Sequence, residues 1–290
     1  SFSAIGINPF SSEWAYLYHV LTDFSSNILD MDYQNFDGSI PPAFIEACLD
    51  IIDKWYDDNY SFQRRELART IIHRTHQMGN LCYFVDQGNP SGCALTSTLN
   101  TMVNALYLRY AWLKATKGKM KLSIFKDEIR DVLYGDDALI ACNFRFSKLT
   151  PEEFIQPLLD MGLVITDSSK NKLPYYKNIW EVQFLKRSFV WDDHLEGSIA
   201  APLEIEKIWD YLKWTTMPDA KEGLLSNLRM AGIDFFLHGE TVYKLVTNKL
   251  KKILEDSGIV YQFLPYRAML YNYRTGNILD SSLFSYDTSF

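Results

Sequence analysis

Aspartates in two short segments are the residues most able to do chemistry. Asp136 and Asp137 interrupt an otherwise apolar stretch, where two adjacent carboxylates repel each other unless a cation neutralises them. Asp30 and Asp32 alternate with apolar residues, so a strand would carry both carboxylates on one face. Carboxylate oxygens are hard ligands suited to Mg²⁺ or Mn²⁺. Two such ions can activate a hydroxyl and stabilise a leaving phosphate oxygen.

The residues around these aspartates predict the elements that position them. Apolar runs at 131–134 and 138–141 flank residues 135–137, a pattern typical of a β-hairpin with the acidic pair at its tip. Residues 28–32 alternate apolar and acidic, which indicates a half-buried strand. The alternative for the acidic pair is an ordinary solvated turn, because aspartate is common in turns.

Helices are predicted on both sides of these strands. Pro42 lies at the start of a segment with apolar residues at helical spacing, a long helix is predicted over about 94–115, and Thr150 is a predicted N-cap. Beyond Pro202 the pattern is mostly helical. We therefore predict an α+β fold with an antiparallel sheet flanked by helices, followed by a mostly helical C-terminal part.

Five short motifs decide between the interpretations of the acidic pair. Two aspartates with four residues between them come first, followed by a Gly-Ser loop that leads into a helix, Tyr-Gly-Asp-Asp, a segment ending in lysine, and Phe-Leu-Lys-Arg. They occupy residues 32–39, 88–101, 134–137, 166–170 and 184–187, after Gly-Ile-Asn-Pro at 6–9. In order and spacing the set resembles the RNA-dependent RNA polymerases of picornavirus-like positive-strand RNA viruses. The resemblance implies a polymerase palm, whose antiparallel sheet bears the acids, and a mostly helical thumb.

The resemblance implies catalytic roles for four residues. Asp32 and Asp136 would be the principal ligands of two Mg²⁺ or Mn²⁺ ions, and Asp137 would support them. Lys170 would be the general acid that protonates the leaving pyrophosphate, since a lysine near phosphates is a strong donor. The alternative for Lys170 is an exposed loop lysine.

The resemblance also implies a nucleotide site. Asp37 and Asn100 would recognise the ribose 2′-hydroxyl of the incoming nucleotide, with Thr96 beside them, because a site built to bond a hydroxyl rejects the deoxy analogue. Ser91 and Gly92 belong to the loop that would position template and nucleotide. Hydrogen bonding within one helix is the alternative for Thr96 and Asn100, which share a helix face.

Contacts to RNA are expected from basic residues. By resemblance, Lys186 and Arg187 would contact phosphates of the primer strand, although basic residues at a strand end are often only solvent-facing. The chain carries 29 Lys and Arg against 36 Asp and Glu, a net charge of −7, which by itself argues against a nucleic-acid binder. Local basic stretches at 114–121 and 244–252 can still bind phosphates.

The domain organisation is also predicted by the resemblance. Residues 1–200 would form the palm with a partial fingers insertion at about 40–90, and residues 201–290 the thumb. Most of the fingers, including basic residues that escort the triphosphate, would precede the first residue, so the fingers are incomplete. A missing basic portion would account for the acidic net charge.

The cellular setting is an expectation from the resemblance. No apolar stretch is long enough to span a membrane, and the four cysteines show no disulfide or metal-site spacing. The expected partners are an RNA template and primer, ribonucleoside triphosphates, a small protein primer and other viral replication proteins. The expected location is a membrane-associated replication complex in the host cytoplasm, after release from a polyprotein.

Template-directed RNA synthesis is therefore the predicted function, with a primer 3′-hydroxyl attacking the α-phosphate of a ribonucleoside triphosphate. One alternative is a catalytically inert RNA-binding fragment, because the fingers are incomplete. A reverse transcriptase is less consistent with the sequence. That class is expected to have a bulky residue at the position of residues 37–39 and to lack the arrangement of Ser91, Thr96 and Asn100.

Overall fold

The structure, a computed structural model, describes residues 2–168, 170–171, 175–195 and 198–280. Ser169 of the fourth motif and residues 281–290 lie outside these ranges. Eleven α-helices occur in the described residues. They are α1 (Glu13–Thr22), α2 (Phe36–Ser39), α3 (Pro42–Tyr56), α4 (Ser61–Ile72), α5 (Thr96–Ala115), α6 (Phe125–Glu128), α7 (Pro151–Asp160), α8 (Ile205–Tyr211), α9 (Ala220–Phe236), α10 (Glu240–Asp256) and α11 (Tyr266–Arg274).

The strands are mostly short. They are β1 (Phe2–Ser3), β2 (Ile28–Tyr33), β3 (Arg74–Met78), β4 (Leu81–Val85), β5 (Ile129–Tyr134), β6 (Asp137–Cys142), β7 (Ile165–Thr166), β8 (Gln183–Phe184), β9 (Arg187–Ser188), β10 (Val190–Asp192) and β11 (Ser198–Ala200). The predicted strand at 28–32 and the predicted hairpin are both present, as β2 and as β5 with β6. The predicted α+β class is confirmed.

Five strands form one sheet in the order β1–β5–β6–β2–β7. The neighbours β5–β6, β6–β2 and β2–β7 are antiparallel, as predicted. β1 runs parallel to β5, with Phe2 opposite Val132, so the sheet is mixed and the predicted antiparallel sheet is corrected at this edge. β1 has two residues, too few to show an alternation that would reveal a strand.

The central strands are buried because their side chains are apolar. Val132 and Leu133 of β5 and Leu139 and Ile140 of β6 are fully inaccessible to solvent. Each such side chain contributes about 1.5–3 kcal/mol when it is buried. Leu133 and Ile140 share one core with Trp112 and other residues of α5 and with residues of α7, and the sheet carries the aspartates at one end.

Helix starts follow the signals in the sequence. Pro42 is in the first turn of α3, as predicted, where its missing N–H costs no hydrogen bond. The hydroxyl of Thr150 accepts from the backbone N–H of Glu153 at 3.2 Å, and the Glu153 carboxylate accepts from the N–H of Thr150 at 2.9 Å. This reciprocal capping box begins α7 at the predicted position.

The chain divides into two compact units. Unit 1 consists of the N-terminal residues up to Gly6 together with Val20–Leu185, and unit 2 consists of Ile7–His19 together with the chain from Lys186 onward. The division precedes the predicted boundary at 200/201. The sequence boundary marks where helical patterns begin to dominate, whereas long-range packing defines a compact unit. The names palm, fingers and thumb stay predictions for these units.

Unit 2 has its own core, built mainly from helices α8–α11. Phe235 and Phe236 of α9 are buried beside Tyr243 of α10 and Tyr266 of α11, and the rings of Phe236 and Tyr266 lie 5.0 Å apart. Trp14 of α1 also stacks on Phe189, with a centroid separation of 4.9 Å. In neither unit do the described residues include a helix long and apolar enough to cross a membrane.

Glu128 is a buried carboxylate that ties three parts of unit 1 together. Its oxygens accept from the indole N–H of Trp112 at 2.9 Å and from the backbone N–H groups of Phe146 and Ser147, each at 2.7 Å. Burial by itself raises the pKa of Glu128, but these hydrogen bonds outweigh it and hold the pKa below its ordinary value.

We expect Glu128→Gln to lower the free energy of unfolding at pH 7 by about 1–3 kcal/mol, because an amide cannot accept all three hydrogen bonds. A pKa lowered on folding stabilises the protein above the ordinary carboxyl pKa, and that contribution is lost as the pH falls through the folded-state value. Urea unfolding from pH 7 downwards measures the difference. The gap between wild type and variant shrinks on acidification, whereas a constant gap would contradict the assignment; the exposed Glu46→Ala is the control.

Candidate active site

The sheet brings the predicted metal-binding aspartates to one end. Asp32 is the last residue but one of β2, Asp137 is the first residue of β6, and Asp136 precedes it in the hairpin turn. Because β2 and β6 are antiparallel neighbours, the end of one lies beside the start of the other. The prediction that both Asp136 and Asp137 occupy the turn is corrected, since Asp137 pairs with Tyr134 in the strand ladder.

The turn that carries Asp136 is held by buried polar side chains. Gly135 has φ +61°, a backbone conformation that glycine adopts without strain. Its N–H donates to the Thr101 hydroxyl at 2.8 Å. The amide of Asn104 donates to the carbonyl oxygens of Gly135 and Asp136, at 3.1 and 3.2 Å, and accepts from the hydroxyl of Tyr33 at 3.0 Å. Side chains of helix α5 therefore set the position of the turn by hydrogen bonding to the backbone of the turn.

The aspartates repel one another at this end of the sheet. Burial and the neighbouring carboxylates of Asp136 and Asp32 raise the pKa of Asp137 to about 7, although the N–H of Leu185 donates to its carboxylate at 2.7 Å. Desolvation also raises the pKa of Asp136, as do the carboxylates of Asp37 and Asp32. Crowded carboxylates with raised pKa values are the electrostatic signature of a functional site.

The donor chemistry of these residues suits a divalent ion, but the ligands are not assembled. Among the residues that the structure describes, no group of three or more Asp, Glu, His or Cys side chains has a geometry ready to hold a metal. One oxygen of Asp32 instead accepts from Lys170 and, at 3.5 Å, from Thr166. Hard carboxylate oxygens that raise one another's pKa are a fitting set for Mg²⁺ or Mn²⁺, which would compete with Lys170 for Asp32.

The structure places Lys170 beside Asp32, far from it in sequence. The Lys170 ammonium donates to the Asp32 carboxylate, and most of the lysine side chain remains exposed. Its backbone N–H donates to the carbonyl oxygen of Asp167 at 2.9 Å, and its φ is +64°. The predicted general acid and the predicted metal ligands thus share one location.

The predicted ribose-binding residues also meet. The Asp37 carboxylate accepts from the hydroxyl of Ser91 and from the side-chain amide of Asn100. The Asn100 carbonyl oxygen accepts from the amide of Asn89 at 3.0 Å, so the orientation of the Asn100 amide is set on both sides. The result is an acceptor, a hydroxyl and an amide donor turned towards one another.

The Gly-Ser loop is held against α2 by backbone contacts. The N–H of Gly88 donates to Ile40 at 2.9 Å, and that of Asn89 donates to the carbonyl oxygen of Asp37 at 2.8 Å. A Cβ on Gly88, which has φ +75°, would lie 2.5 Å from that same oxygen, so only glycine is accommodated there. Gly92 has φ +91° with open space around it. Glycine is favoured there by the positive φ and not by a lack of space.

A cavity of about 370 Å³ lies between the predicted ribose-binding residues and Asp136. It is lined by Tyr33, Asn35, Phe36, Asp37, Ser91, Thr96, Ser97, Asn100, Tyr134, Gly135 and Asp136. Four of the five predicted nucleotide-binding residues and one predicted metal ligand therefore face the same space, while Gly92 is not among its lining residues. The hydroxyl of Thr96 donates to the carbonyl oxygen of Pro90 at 3.1 Å.

The two residues of the predicted RNA contact have different surroundings. Lys186 is exposed. Arg187 is buried in unit 2, where its guanidinium pairs with Asp234 at 2.7 Å, donates to the carbonyl oxygen of Ala201 at 2.8 Å and lies over the ring of Phe10. The prediction that Arg187 contacts phosphates is corrected, because the side chain is buried and paired with Asp234; Lys186 stays a prediction.

Sequence reasoning missed three residues of this site. Asn89, Thr101 and Asn104 are buried polar residues that orient Asn100 and the Asp136 turn. A signal was present for Asn104, which lies one helical turn after Asn100 on an otherwise apolar stretch of α5. Buried amides are rarely left without hydrogen bonds, so such a residue marks a polar partner.

The comparisons with known proteins agree with this geometry. The family model for viral RNA-dependent RNA polymerases matches residues 1–254. The chain belongs to this family. Members of the family generally use divalent metal ions, and the carboxylate-rich end of the sheet accords with that use.

Several relatives are viral polyproteins. The RNA1 polyproteins of tomato ringspot virus (isolate raspberry) and grapevine fanleaf virus are 31% and 33% identical to this chain over 241 and 245 residues. Each match includes 82% of this chain and 11% of the polyprotein, so the chain spans about a tenth of the length of these relatives.

A solved structure shows the same fold. The sicinivirus 3Dpol RNA-dependent RNA polymerase superposes with a TM-score of 0.77 at 24% sequence identity. The superposition covers 95% of this chain and 56% of the sicinivirus chain. The fold of a viral polymerase is therefore present over nearly the whole of this chain, which spans little more than half of the solved polymerase.

We expect Asn104→Ala to lower the free energy of unfolding by about 1–3 kcal/mol, because it removes the donors to the turn and leaves the Tyr33 hydroxyl without its acceptor. Urea unfolding of Asn104→Ala, Tyr33→Phe and the double variant measures the coupling. The double variant loses less than the sum of the single losses, since the two side chains share one hydrogen bond. Strictly additive losses would contradict the hydrogen bond between Tyr33 and Asn104. The exposed Asn59→Ala is the control.

Proposed function

We propose that this chain carries the catalytic centre for template-directed RNA synthesis, in which a primer 3′-hydroxyl attacks the α-phosphate of a ribonucleoside triphosphate and pyrophosphate leaves. The observation that carries the proposal is the cavity shared by Asp37, Ser91, Asn100 and Asp136. It combines hydrogen-bonding groups for a ribose with the edge of the carboxylate cluster. Membership of the polymerase family supports the same reaction.

In this proposal two divalent ions, Mg²⁺ or Mn²⁺, are held by Asp32 and Asp136, with Asp137 in support. When bound, the ions supply charge neutralisation for the triphosphate and acidify the attacking hydroxyl. The sheet keeps the strand ends that carry these carboxylates close in spite of their repulsion, so binding the ions requires movement of side chains and not of the sheet. The lysine now on Asp32 has to move away from it.

Asp37, Ser91 and Asn100 select the ribose in this proposal. The carboxylate of Asp37 accepts a hydrogen bond from the 2′-hydroxyl, and Ser91 or the Asn100 amide donates one to it. Both donors already lie on Asp37, so a deoxyribose would leave a polar group without the partner that the site provides. Thr96 has a weaker part, because its hydroxyl donates to Pro90.

Lys170 supplies the proton in the proposed reaction. Its side chain is mostly exposed, and in the proposed reaction its ammonium leaves Asp32 for the phosphate that departs as pyrophosphate. Transfer of the proton to that oxygen removes negative charge from the leaving group. Lys186 is proposed to contact a primer phosphate, as an exposed cation can.

The proposed partners follow from the family. They are an RNA template and primer, ribonucleoside triphosphates, a small protein primer and other viral replication proteins. A polyprotein origin is supported by the relatives, which are themselves named polyproteins. We propose a membrane-associated replication complex in the host cytoplasm as the location.

Primer extension on a homopolymer RNA template tests the reaction. The purified chain is supplied with Mg²⁺ or Mn²⁺, alone and together with the remainder of the polymerase from its polyprotein. We expect Asp136→Asn to abolish extension while the circular dichroism spectrum stays unchanged and the unfolding midpoint does not fall, because the substitution removes a carboxylate that its neighbours repel. Asp127→Asn, an exposed aspartate of α6, is the matched control.

Each outcome of this assay has a defined meaning. Extension that Asp136→Asn removes and Asp127→Asn retains supports the proposed chemistry. Retained extension in Asp136→Asn contradicts the metal assignment. Absence of extension in every arm, together with RNA binding, favours an inert RNA-binding module, which the 56% coverage of the solved polymerase keeps as the second candidate.

Sugar selection is tested by incorporation of ribo- and deoxyribonucleotides. We expect Asn100→Ala to reduce the preference for ribonucleotides by about tenfold or more, because it removes one hydrogen bond from the site that reads the 2′-hydroxyl. The ratio of kcat/KM for the two sugars is the measurement. Thr98→Ala, on the same helix but outside the cavity, leaves the ratio unchanged. A wild-type chain that prefers deoxyribonucleotides would instead indicate a reverse transcriptase.

A further inference from the structure

A buried cluster of charges lies next to the site but takes no part in the proposed chemistry. The Lys177 ammonium is 3.0 Å from the carboxylate of Asp30 and 3.0 Å from that of Asp167. The exposed fractions of the three side chains are 6%, 3% and 0%. Removing three charged groups from water is costly, so the arrangement calls for an explanation beyond packing.

One partner of Lys177 organises the loop that carries Lys170. The carboxylate of Asp167 accepts from the backbone N–H and the side-chain amide of Asn171, at 2.8 and 3.0 Å. The carbonyl oxygen of Asp167 accepts from the N–H of Lys170 at 2.9 Å. Asp167 thus holds both residues around the left-handed backbone at Lys170.

The other partner belongs to the strand that carries Asp32. Asp30 lies two residues earlier in β2, and its carboxylate also accepts from the backbone N–H and hydroxyl of Ser168. The backbone of Lys177 is bridged to the start of the same strand, where its N–H donates to Ile28 at 2.8 Å and its carbonyl oxygen accepts from Ile28 at 3.1 Å. Lys177 is therefore anchored to β2 by main chain and side chain.

We propose that Lys177 is a positioning residue, whose buried ammonium ties the loop bearing Lys170 to the strand bearing Asp32. In the part of the chain that the structure describes, this ammonium contacts the carboxylates of both Asp30 and Asp167. Without it, two buried carboxylates face the same space with no counter-charge, and the loop separates from the strand. The effect on catalysis rests on the proposed function, because it acts through Lys170; the tie itself does not.

Hydrogen exchange tests the tie without any need for activity. In the full 290-residue chain, Lys177→Met is expected to speed amide exchange at Lys170 and Asn171 by about tenfold or more, since their acceptor residue loses its anchor. Asp167→Asn, which leaves the Lys177–Asp30 pair intact, is the second variant if Lys177→Met does not fold, and it is expected to act in the same direction. The exposed Lys126→Met is the control. Unchanged exchange in a folded variant overturns the proposal.

A double-mutant cycle with Lys170 separates positioning from general stability. In the active arm of the primer-extension assay, Lys177→Met or Asp167→Asn is expected to lower kcat about tenfold to a hundredfold at unchanged KM for the nucleotide. In a Lys170→Met background the same substitution costs no further rate, because the residue it positions is already gone. Equal losses in both backgrounds overturn the proposal.

The two readouts keep this proposal distinct from the proposed function. If Lys170→Met by itself leaves the rate unchanged, the general-acid role of Lys170 fails, and positioning for catalysis fails with it. Faster exchange at Lys170 and Asn171 would in that case still support a structural tie between loop and strand. Faster exchange together with a non-additive loss of rate supports the whole proposal.

Discussion

Mutual repulsion of carboxylates is the constraint on which the rest of this structure depends. Asp32, Asp37, Asp136 and Asp137 are close enough for neighbouring charges to raise the pKa of two of them. Such an arrangement cannot hold itself together, so the framework has to hold it. The sheet does this with strands whose central side chains are inaccessible to solvent, because rigid apolar packing keeps the strand ends in register whatever the charge they carry.

Helix α5 is the second part of that framework. Its buried face is mostly apolar, yet Asn100, Thr101 and Asn104 present amides and a hydroxyl to the ribose-binding residue and to the hairpin turn. Buried polar groups stabilise a fold only when they are fully bonded. Their orientation is therefore unique, and one helix sets the geometry of the nucleotide cavity and of the aspartate turn together.

Burial separates the cations of this chain into two kinds. Lys177 and Arg187 are buried and paired with carboxylates, where they bind parts of one unit together. Lys170 and Lys186 are exposed, so both can reach phosphate, Lys170 by leaving its pair with Asp32. A net charge of −7 averages over both kinds and says little about the potential at a site, which depends on the charges within about a Debye length of 8–10 Å.

The sequence by itself determined the family, the α+β class, the hairpin with its acidic residues and the helix starts at Pro42 and Thr150, because each depends on residue order or on periodicity within a short segment. It could not reveal the parallel edge strand, the place of Asp137 in β6 or the burial of Arg187. Those depend on which distant segments meet, and a two-residue strand or a basic residue at a strand end looks the same locally in either setting. Only the tertiary structure placed Lys177 against Asp30 and Asp167, since contacts between residues about 10 and 147 positions apart arise from packing and leave no local pattern.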